Sequence, residues 1–343
     1  MSDSLKVEVL APAPAFNGDQ TGPGPFSDIL DLTGTEDLFE TSLKQRLLSP
    51  AGQISPSAAA NLAAFWALKA AQSPPIIFLV SLSTLSALGF PPEKLIAATL
   101  NWLPPYRQAK ITALRQLPDQ ARSATAGLLM LTVLGVTSDR QVVFGPHGAP
   151  ALTRGECHFS LSHSGDWVAL SVWGCLCGVD VETVRQKPVS ESLAARVLTE
   201  EEMTYFNQWG CDPMLFSALW TRKESLVKAI GRGIDLIERC PVLPLAPSIR
   251  RRWGRLWRLW SLSLPGAVLS LASEAFETGE LSDYQSIAEA KSSPNSCASS
   301  QSGPGSSGSG RRSSPLSFAA ISAQPQLKRF EPFLAAFLSD QKK

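Results

Sequence analysis

One short stretch of this sequence, Gly178-Val179-Asp180-Val181-Glu182, indicates the structure around it. Valine alternates with acidic residues, which is the pattern of a β-strand with two different faces. Side chains two residues apart leave a strand on the same face, so Asp180 and Glu182 are expected to point into one site. The two valines are expected to bury the opposite face. The stretch therefore predicts a buried strand that carries a pair of carboxylates.

A second stretch, residues 220–228, reads Trp-Thr-Arg-Lys-Glu-Ser-Leu-Val-Lys and predicts a helix in which Glu224 and Lys228 share a face. Three carboxylates near a lysine are what a hard cation such as Mg²⁺ and a phosphate-bearing substrate require. An ordinary surface ion pair is the alternative for the helix, and the solvated side of an edge strand is the alternative for the acidic pair. Because the acidic pair lies within an apolar run, where charges need a partner, we favour a phosphate-chemistry site.

The composition excludes several classes of protein. A length of 343 residues favours about two domains, and a net charge of +1 gives no overall attraction to nucleic acid or to an anionic membrane. The six cysteines form no Cys-x-x-Cys pair, and with three histidines a zinc site is not expected. The first residues lack the basic and apolar regions of a secretory signal. We therefore expect a cytoplasmic monomer that binds neither nucleic acid nor a membrane.

The pattern of apolar residues and turn residues predicts an α+β fold. Strands are expected at 76–83, 141–144, 157–162, 167–173, 177–181, 256–263 and 267–273. Helices are expected at 36–73, at 107–134 with a break at Pro118, at 198–209 with a capping box from Thr199 to Glu202, at 216–230 and at 327–338. Strand runs mixed with helices on one core favour α+β over a doubly wound α/β fold.

Three ordered motifs carry a resemblance to a known family. They read Phe159-Ser-Leu-Ser-His163-Ser164-Gly165, Gly178-Val-Asp-Val-Glu182 and Phe216-x-x-x-Trp220-x-x-Lys223-Glu224-Ser225-x-x-Lys228-x-x-Gly231-x-Gly233. In residue types, order and spacing they resemble the Sfp-type 4′-phosphopantetheinyl transferases. Upstream, Asp119-Gln-Ala-Arg122-Ser123 resembles the Asp-x-x-Arg-Ser helix start of that family. The resemblance covers residues 76 to 275 and leaves both ends of the chain unmatched.

The resemblance implies an activity and a set of roles. The family moves the 4′-phosphopantetheine arm of coenzyme A onto a serine of an acyl, peptidyl or polyketide carrier protein and releases adenosine 3′,5′-bisphosphate. By resemblance, Asp180, Glu182 and Glu224 hold Mg²⁺, with Mn²⁺ as an alternative. Glu224 takes the proton of the serine hydroxyl, directly or through a water, and Lys228 neutralises or protonates the departing phosphate. The residues implied to bind coenzyme A are Arg122, Ser162, His163, Lys223 and Lys228.

The family fold implies a division of the chain. Two similar α+β subdomains related by a pseudo-twofold are expected at 75–174 and 175–275, with coenzyme A in the cleft between them and the metal site in the second. Residues 1–74 are expected to form an N-terminal extension that is partly flexible. Residues 276–343 are expected to form a C-terminal extension with a low-complexity insert at 292–315, where serine, glycine and proline dominate.

Three positions depart from the family pattern. Ala149 stands where the family often has a lysine in a Gly-Lys-Pro turn that contacts coenzyme A, and Ser160 stands where asparagine is usual. The helix after Gly127 lacks an arginine that is frequent there. These departures bear on the strength of coenzyme A binding and not on the chemistry.

Other functions are less well supported by the sequence. A serine hydrolase is disfavoured because Ser162 and His163 are adjacent in a strand and point to opposite faces, and no Gly-x-Ser-x-Gly elbow exists. A protein of the same fold that binds carrier protein or nucleotide without turnover is the main alternative. The basic cluster at 250–260 resembles a single-stranded nucleic-acid platform or an interfacial membrane segment. We favour instead a basic turn leading into a strand whose tryptophans pack in the core, and an arginine patch that attracts acidic carrier proteins stays open.

Overall fold

The computed structural model describes residues 74–155, 157–233, 237, 240–245, 248–275 and 325–340. It also gives the backbone of two short strands, β1 (Val7–Val9) and β2 (Asp28–Leu30). The helix expected over 36–73 and the low-complexity insert at 292–315 lie outside the described residues, as does most of the N-terminal segment expected to be flexible.

The first half of the described chain is organised around one long helix. Its elements are β3 (Ile76–Ser81), α1 (Leu82–Ala87), α2 (Pro92–Thr99), α3 (Pro105–Ala113), α4 (Leu117–Leu134), β4 (Val142–Phe144), β5 (Pro150–Leu152), β6 (His158–Ser164) and β7 (Trp167–Trp173), with 3₁₀ turns at Leu100–Trp102 and Asp139–Gln141. Helix α4 has a proline in its first turn, where the missing N–H costs nothing, and it ends at Gly135 in the left-handed conformation. Apart from Arg122, every residue of α4 from Ala121 to Leu134 is buried, so α4 is the central helix of this half.

The second half carries the acidic strand and the helix that covers it. Its elements are β8 (Cys177–Thr183), α5 (Glu191–Val197), α6 (Glu200–Gln208), α7 (Pro213–Ala229), β9 (Ser248–Arg252), β10 (Arg255–Leu264) and β11 (Ala267–Ala275). The expected capping box starts α6: the Thr199 hydroxyl accepts a hydrogen bond from the Glu202 backbone N–H, and the Glu202 carboxylate accepts one from the Thr199 backbone N–H. The described chain ends with β12 (Gln326–Arg329) and α8 (Glu331–Asp340).

The strands form two main sheets. One has the order β12-β3-β7-β6, in which β12 runs parallel to β3 and the other pairs are antiparallel. The other has the order β2-β1-β10-β11-β8, with β9 also paired to β10 and every pair antiparallel. Strands β4 and β5 form a separate hairpin. Strands β6 and β8 are therefore edge strands of different sheets.

The two sheets pack face to face, and each carries helices on its outer face. Alternate residues such as Ile77 of β3 and Val179 and Val181 of β8 meet in the core between the sheets. The other face of β3 packs with α4, and the outer face of β10 and β11 packs with α7. The expectation that the valines of β8 bury one face is confirmed, which leaves positions 178, 180 and 182 on the side of α7.

The α+β prediction is confirmed, while the pseudo-twofold relation stays a prediction. The strand expected at 76–83 ends at Ser81, because the Ser81 side chain caps α1 by accepting from the Thr84 backbone N–H. The helix expected at 107–134 is two helices, because Pro118 is tolerated only in a first turn. The helix expected at 327–338 begins instead as strand β12. None of the described helices combines the length and apolar character needed to cross a bilayer.

Helix α7 and strand β8 touch backbone to backbone at Gly178. A Cβ atom added there would lie 2.0 Å from the carbonyl oxygen of Ser225 and 2.4 Å from the backbone nitrogen of Ala229. No side chain fits in that space, so glycine at this position sets the distance between the helix and the acidic strand.

Replacing Gly178 by alanine is expected to lower the free energy of unfolding by about 1–3 kcal/mol, because the two backbones must move apart to admit the methyl group. Chemical denaturation measures the loss. Gly145→Ala is the matched control, because its Cβ would have the carbonyl oxygen of Ala149 as its nearest neighbour, at 3.7 Å. Equal stability of the two variants would show that α7 does not depend on this close approach.

Candidate active site

The close packing of α7 on β8 brings Lys228 onto the acidic strand. Asp180 is 2% exposed, and its Oδ1 accepts hydrogen bonds from Lys228 Nζ and from Ser162 Oγ, each at 2.7 Å. Lys228 Nζ also donates to Ser162 Oγ at 3.1 Å. About a third of the Lys228 side chain remains exposed. The lysine thus connects the buried carboxylate to the solvent side of the site.

Two serines of β6 hold the acidic pair of β8 across the boundary between the sheets. Ser162 Oγ donates to Asp180 and accepts from the Val181 backbone N–H. Two residues on, Ser164 Oγ donates to Glu182 Oε2 at 2.7 Å and accepts from the Thr183 backbone N–H. Side-chain hydroxyls therefore join these two edge strands, and both acidic side chains are fixed by the same strand.

Serine 164 has a role that the sequence analysis did not assign. Ser162 was expected to contact coenzyme A; the structure places it against Asp180 and Lys228. Ser164 lies two residues further along β6 and meets Glu182, which lies two residues beyond Asp180. The matching period of two in both strands is a signal that could have identified it.

The pKa values of the three carboxylates are shifted together. Burial raises the pKa of Asp180, although the charge of Lys228 opposes the shift. Burial also raises the pKa of Glu182, and the negative charge of Asp180 adds to that effect. Burial raises the pKa of Glu224 to about 7, with further contributions from Asp180 and Glu182. The charge of Asp180 thus raises the pKa of both Glu182 and Glu224, and Glu182 adds to the shift at Glu224, so the three carboxylates lie in electrostatic range.

The donor set suits a hard divalent cation. Asp180 Oδ2 is buried and has no hydrogen-bond partner in the part of the chain that the structure describes, which is costly for a carboxylate oxygen. Oxygen ligands with excess negative charge are what Mg²⁺ prefers. Among the described residues, however, no three His, Cys, Asp or Glu side chains are already gathered as metal ligands. A cation held by Asp180, Glu182 and Glu224 therefore requires some rotation of these side chains.

Cations of the first half lie near His163. Burial lowers the pKa of His163, and the charges of Arg122, Lys110 and Lys228 lower it further. His163 is therefore expected to be neutral at pH 7. Arg122 donates to the carbonyl oxygen of Gly165 at 2.8 Å and forms an ion pair with Asp119. Lys110 of α3 was missed by the sequence analysis, because no motif of the chain includes it.

The assignment of Lys223 to coenzyme A binding is wrong for this structure. Lys223 is fully buried, its Nζ lies 2.7 Å from Glu202 Oε2, and it also donates to the carbonyl oxygen of Ile237. Glu202 in turn accepts from the Val242 backbone N–H at 2.7 Å. The neighbouring Arg222 is also fully buried. Arg222 and Lys223, which precede Glu224 in sequence, thus face the core and anchor the buried side of α7.

Arginine 222 makes the second of these anchors. Its guanidinium donates to Ser261 Oγ at 2.7 Å and to the carbonyl oxygens of Val242 at 3.1 Å and of Pro244 at 2.5 Å. Burial lowers the pKa of Arg222 to about 9. The helix that carries Glu224 is therefore tied to residues 242–245 and to β10, which fixes the height of Glu224 above the sheet.

Two other sequence features have clear positions. Trp257 and Trp260, the two tryptophans of the basic cluster that lie in β10, are buried as expected for a core strand, whereas Trp253 in the β9–β10 turn is exposed. The β9–β10 turn lies at the far end of β10, about 20 Å along the strand from Ser261, which is level with Asp180. Attraction of carrier proteins by these arginines stays a prediction. Ala149, at the β4–β5 turn, lies beside Gly231 at the end of α7.

The region that contains the site matches a known superfamily. Residues 176–267 match the sequence profile of the 4′-phosphopantetheinyl transferase superfamily. This span includes the acidic strand and all of α7, and hence Asp180, Glu182, Glu224 and Lys228. The resemblance inferred from the motifs is confirmed.

Individual relatives match parts of the chain. The 4′-phosphopantetheinyl transferase Sfp of Bacillus subtilis strain 168 is 26% identical over 145 residues, which are 40% of this chain and 64% of the relative. A 4′-phosphopantetheinyl transferase of Bacillus subtilis is 32% identical over 117 residues, 34% of this chain and 50% of the relative. The 4′-phosphopantetheinyl transferase psf-1 of Bacillus pumilus is 35% identical over 80 residues, 23% of this chain and 34% of the relative. The chain thus spans between 34% and 64% of the length of these relatives.

Binding of Mg²⁺ is expected to strengthen as the pH rises through 7, because a cation and a proton compete for Glu224, whose pKa is about 7. Below that pKa, the affinity should fall by up to about tenfold per pH unit. Calorimetric titration of the metal-free protein at several pH values measures this dependence. Glu224→Gln should remove most of it, whereas Glu200→Gln, at an exposed position, should preserve it. An affinity that does not change with pH would exclude Glu224 as a ligand.

Proposed function

We propose that this chain, whose residues 176–267 match the 4′-phosphopantetheinyl transferase superfamily, transfers the phosphopantetheine arm of coenzyme A to a serine of a carrier protein. One observation carries the proposal. The superfamily match coincides with the place where Lys228 of α7 meets the buried Asp180 of β8, with Glu182 and Glu224 in electrostatic range. This combination of acids and one lysine suits displacement at a pyrophosphate.

The reaction forms one bond and breaks one. The serine oxygen of the carrier attacks the phosphorus that bears the pantetheine arm, and the bond from that phosphorus to the bridging oxygen of the pyrophosphate breaks. The products are a phosphodiester on the carrier and adenosine 3′,5′-bisphosphate. The serine proton must be removed, and negative charge grows on the departing phosphate. Two functional groups of the protein are therefore needed, a base and a cation.

Glu224 and Lys228 supply these groups. Glu224 lies one helical turn before Lys228 and within electrostatic range of Asp180 and Glu182, so its carboxylate is placed to take the serine proton, directly or through a water. Lys228 is a compact positive charge that is already directed into the site, where it can neutralise the departing phosphate. A divalent ion held by Asp180, Glu182 and Glu224 would supply charge neutralisation at the pyrophosphate.

The cations of the first half provide a place for the nucleotide. The charges of Lys110, Arg122 and Lys228 all act on the pKa of His163, so these cations lie within electrostatic range of His163. Phosphate groups are the anions that such a group of cations attracts. We assign to these residues the binding of the phosphates of coenzyme A, with Arg122 held in place by its bond to Gly165.

The proposal extends to the metal, the co-substrate, the partners and the organisation of the chain. We propose Mg²⁺ as the metal, with Mn²⁺ as the alternative, coenzyme A as co-substrate, and carrier proteins of fatty-acid, polyketide or nonribosomal-peptide synthesis as partners. We also propose a monomer located in the cytoplasm, with transferase subdomains at 75–174 and 175–275 and extensions at 1–74 and 276–343. A catalytically silent binding protein of the same fold has no observation in its favour.

Incubation with an apo carrier protein, coenzyme A and Mg²⁺ is expected to add the mass of the phosphopantetheine arm to the carrier. Asp180→Ala should lower the rate by roughly 10²–10³-fold, because the charge at the centre of the site is lost. Removal of metal with a chelator should have a similar effect. Glu200→Ala, which removes an exposed carboxylate of α6, is the control and should keep the wild-type rate.

Mass spectrometry of the carrier gives the answer directly. Binding of coenzyme A and carrier without any mass addition, across acyl, peptidyl and aryl carrier domains, would favour the silent binding protein. Full transfer by Asp180→Ala would show that the chemistry occurs elsewhere.

A further inference from the structure

The C-terminal segment, residues 325–340, is built into the first half of the molecule. Strand β12 pairs in parallel with β3, from Gln326 beside Ile76 to Arg329 beside Leu79. The apolar residues that follow are buried in the core of the first half; they are Phe330, Phe333, Leu334 and Leu338. The segment follows the second half in sequence but completes the sheet and core of the first half.

A buried carboxylate lies at the start of α8. Glu331 is 1% exposed, and its Oε1 accepts from the Ser81 backbone N–H at 2.7 Å. Arg329 Nε donates to both of its oxygens, at 3.0 and 3.1 Å. A carboxylate is kept in such a place only when its hydrogen bonds are satisfied. Glu331 therefore binds the end of β3 firmly to the C-terminal segment.

The contact continues from Ser81 to the turn between β6 and β7. Ser81 Oγ donates to Asp166 Oδ2 at 2.6 Å. Asp166 also accepts from two backbone N–H groups at the start of α1, those of Leu82 through its carbonyl oxygen and of Ser83 through Oδ1. The turn at residues 165 and 166 is thus held by the end of β3 and the start of α1. Glu331 binds this same part of the chain through the Ser81 N–H.

The same turn reaches the proposed active site. The carbonyl oxygen of Gly165 accepts from Arg122, and Ser164 holds Glu182. On its other side, the ring of Trp167 lies under the Arg329 guanidinium, 5.3 Å from centroid to carbon. Trp167 Nε1 donates to the carbonyl oxygen of Pro265 in the β10–β11 turn. The C-terminal segment therefore contacts the turn that connects the nucleotide-facing cations to the second half.

We propose that residues 325–340 are a positioning element of the transferase site, in which Glu331 is a positioning residue that acts through Ser81 and Asp166 on Arg122. This inference rests on the proposed function. Glu331 does not touch the reacting groups, so its loss is expected to affect coenzyme A binding and to leave the chemical step nearly unchanged.

Three full-length variants test the proposal. Glu331→Ala should raise the KM for coenzyme A by on the order of tenfold at nearly constant kcat, because the anchor of the turn that holds Arg122 is lost. Glu331→Gln keeps an acceptor for the Ser81 N–H and should restore most of the affinity. Leu338→Ala opens a cavity in the core beside the same helix and leaves the hydrogen bonds of Glu331, Ser81 and Asp166 in place. It should lower Tm while KM stays unchanged.

Hydrogen exchange gives a readout that does not depend on activity. The Leu82 and Ser83 amides, which donate to Asp166, should exchange faster in Glu331→Ala and at the wild-type rate in Glu331→Gln. If Glu331→Ala does not fold, Ser81→Ala removes the hydroxyl that donates to Asp166 and that also caps α1, and it should show the same rise in KM and faster exchange of the Ser83 amide.

Two results would overturn the proposal. One is unchanged KM and unchanged exchange in the variants at 331 and 81. The other is a rise in KM for Leu338→Ala as large as that for Glu331→Ala, which would make the segment merely structural. A wild-type protein that neither binds nor uses coenzyme A would refute the proposed function, whereas the exchange rates would still decide whether Glu331 holds the turn.

Discussion

Three carboxylates lie where two β-sheets meet beneath one helix, and this crowding of negative charge is the constraint on which the site depends. Burial makes ionisation costly for all three, and the charge of Asp180 raises the cost further at Glu182 and Glu224. Lys228 and Ser162 offset part of that cost at Asp180, yet one oxygen of Asp180 remains without a partner among the described residues. A divalent cation with a phosphate substrate is the chemistry that makes use of such an arrangement.

The fold creates this arrangement through a few specific contacts. Glycine at position 178 lets the backbone of α7 touch the acidic strand, so that Lys228 reaches Asp180. The serines of β6 join two sheets that share no backbone ladder at this point. Beneath the site, Arg222 and Lys223 use buried charges to fix the helix. The arrangement of side chains thus depends on residues from both halves of the chain.

The sequence predicts the parts of the site that depend on local backbone geometry. It does not predict the parts that depend on tertiary packing. That Asp180 and Glu182 share a strand face, and that Glu224 and Lys228 share a helix face, follow from local backbone geometry. The closeness of Lys228 to Asp180 was a hypothesis that the family resemblance supported. Lys223 was misassigned because a helix turns by about 100° per residue, which directs it away from Glu224 and towards Glu202. The residues of β12, Gln-Leu-Lys-Arg, do not alternate between apolar and polar, so the sequence gives no signal for a strand. They form a strand because they pair with β3. Lys110 comes near His163 only through the tertiary packing of α3.

The most direct measurement is the position of a bound ion. Crystals grown with Mn²⁺ in place of Mg²⁺ allow the ion to be located by its anomalous scattering. We predict one ion bound by carboxylate oxygens of Asp180, Glu182 and Glu224, with Lys228 displaced from Asp180. Saturating Mn²⁺ with no ion at these residues, or with an ion bound elsewhere while Lys228 stays on Asp180, would contradict a metal-dependent transferase site here.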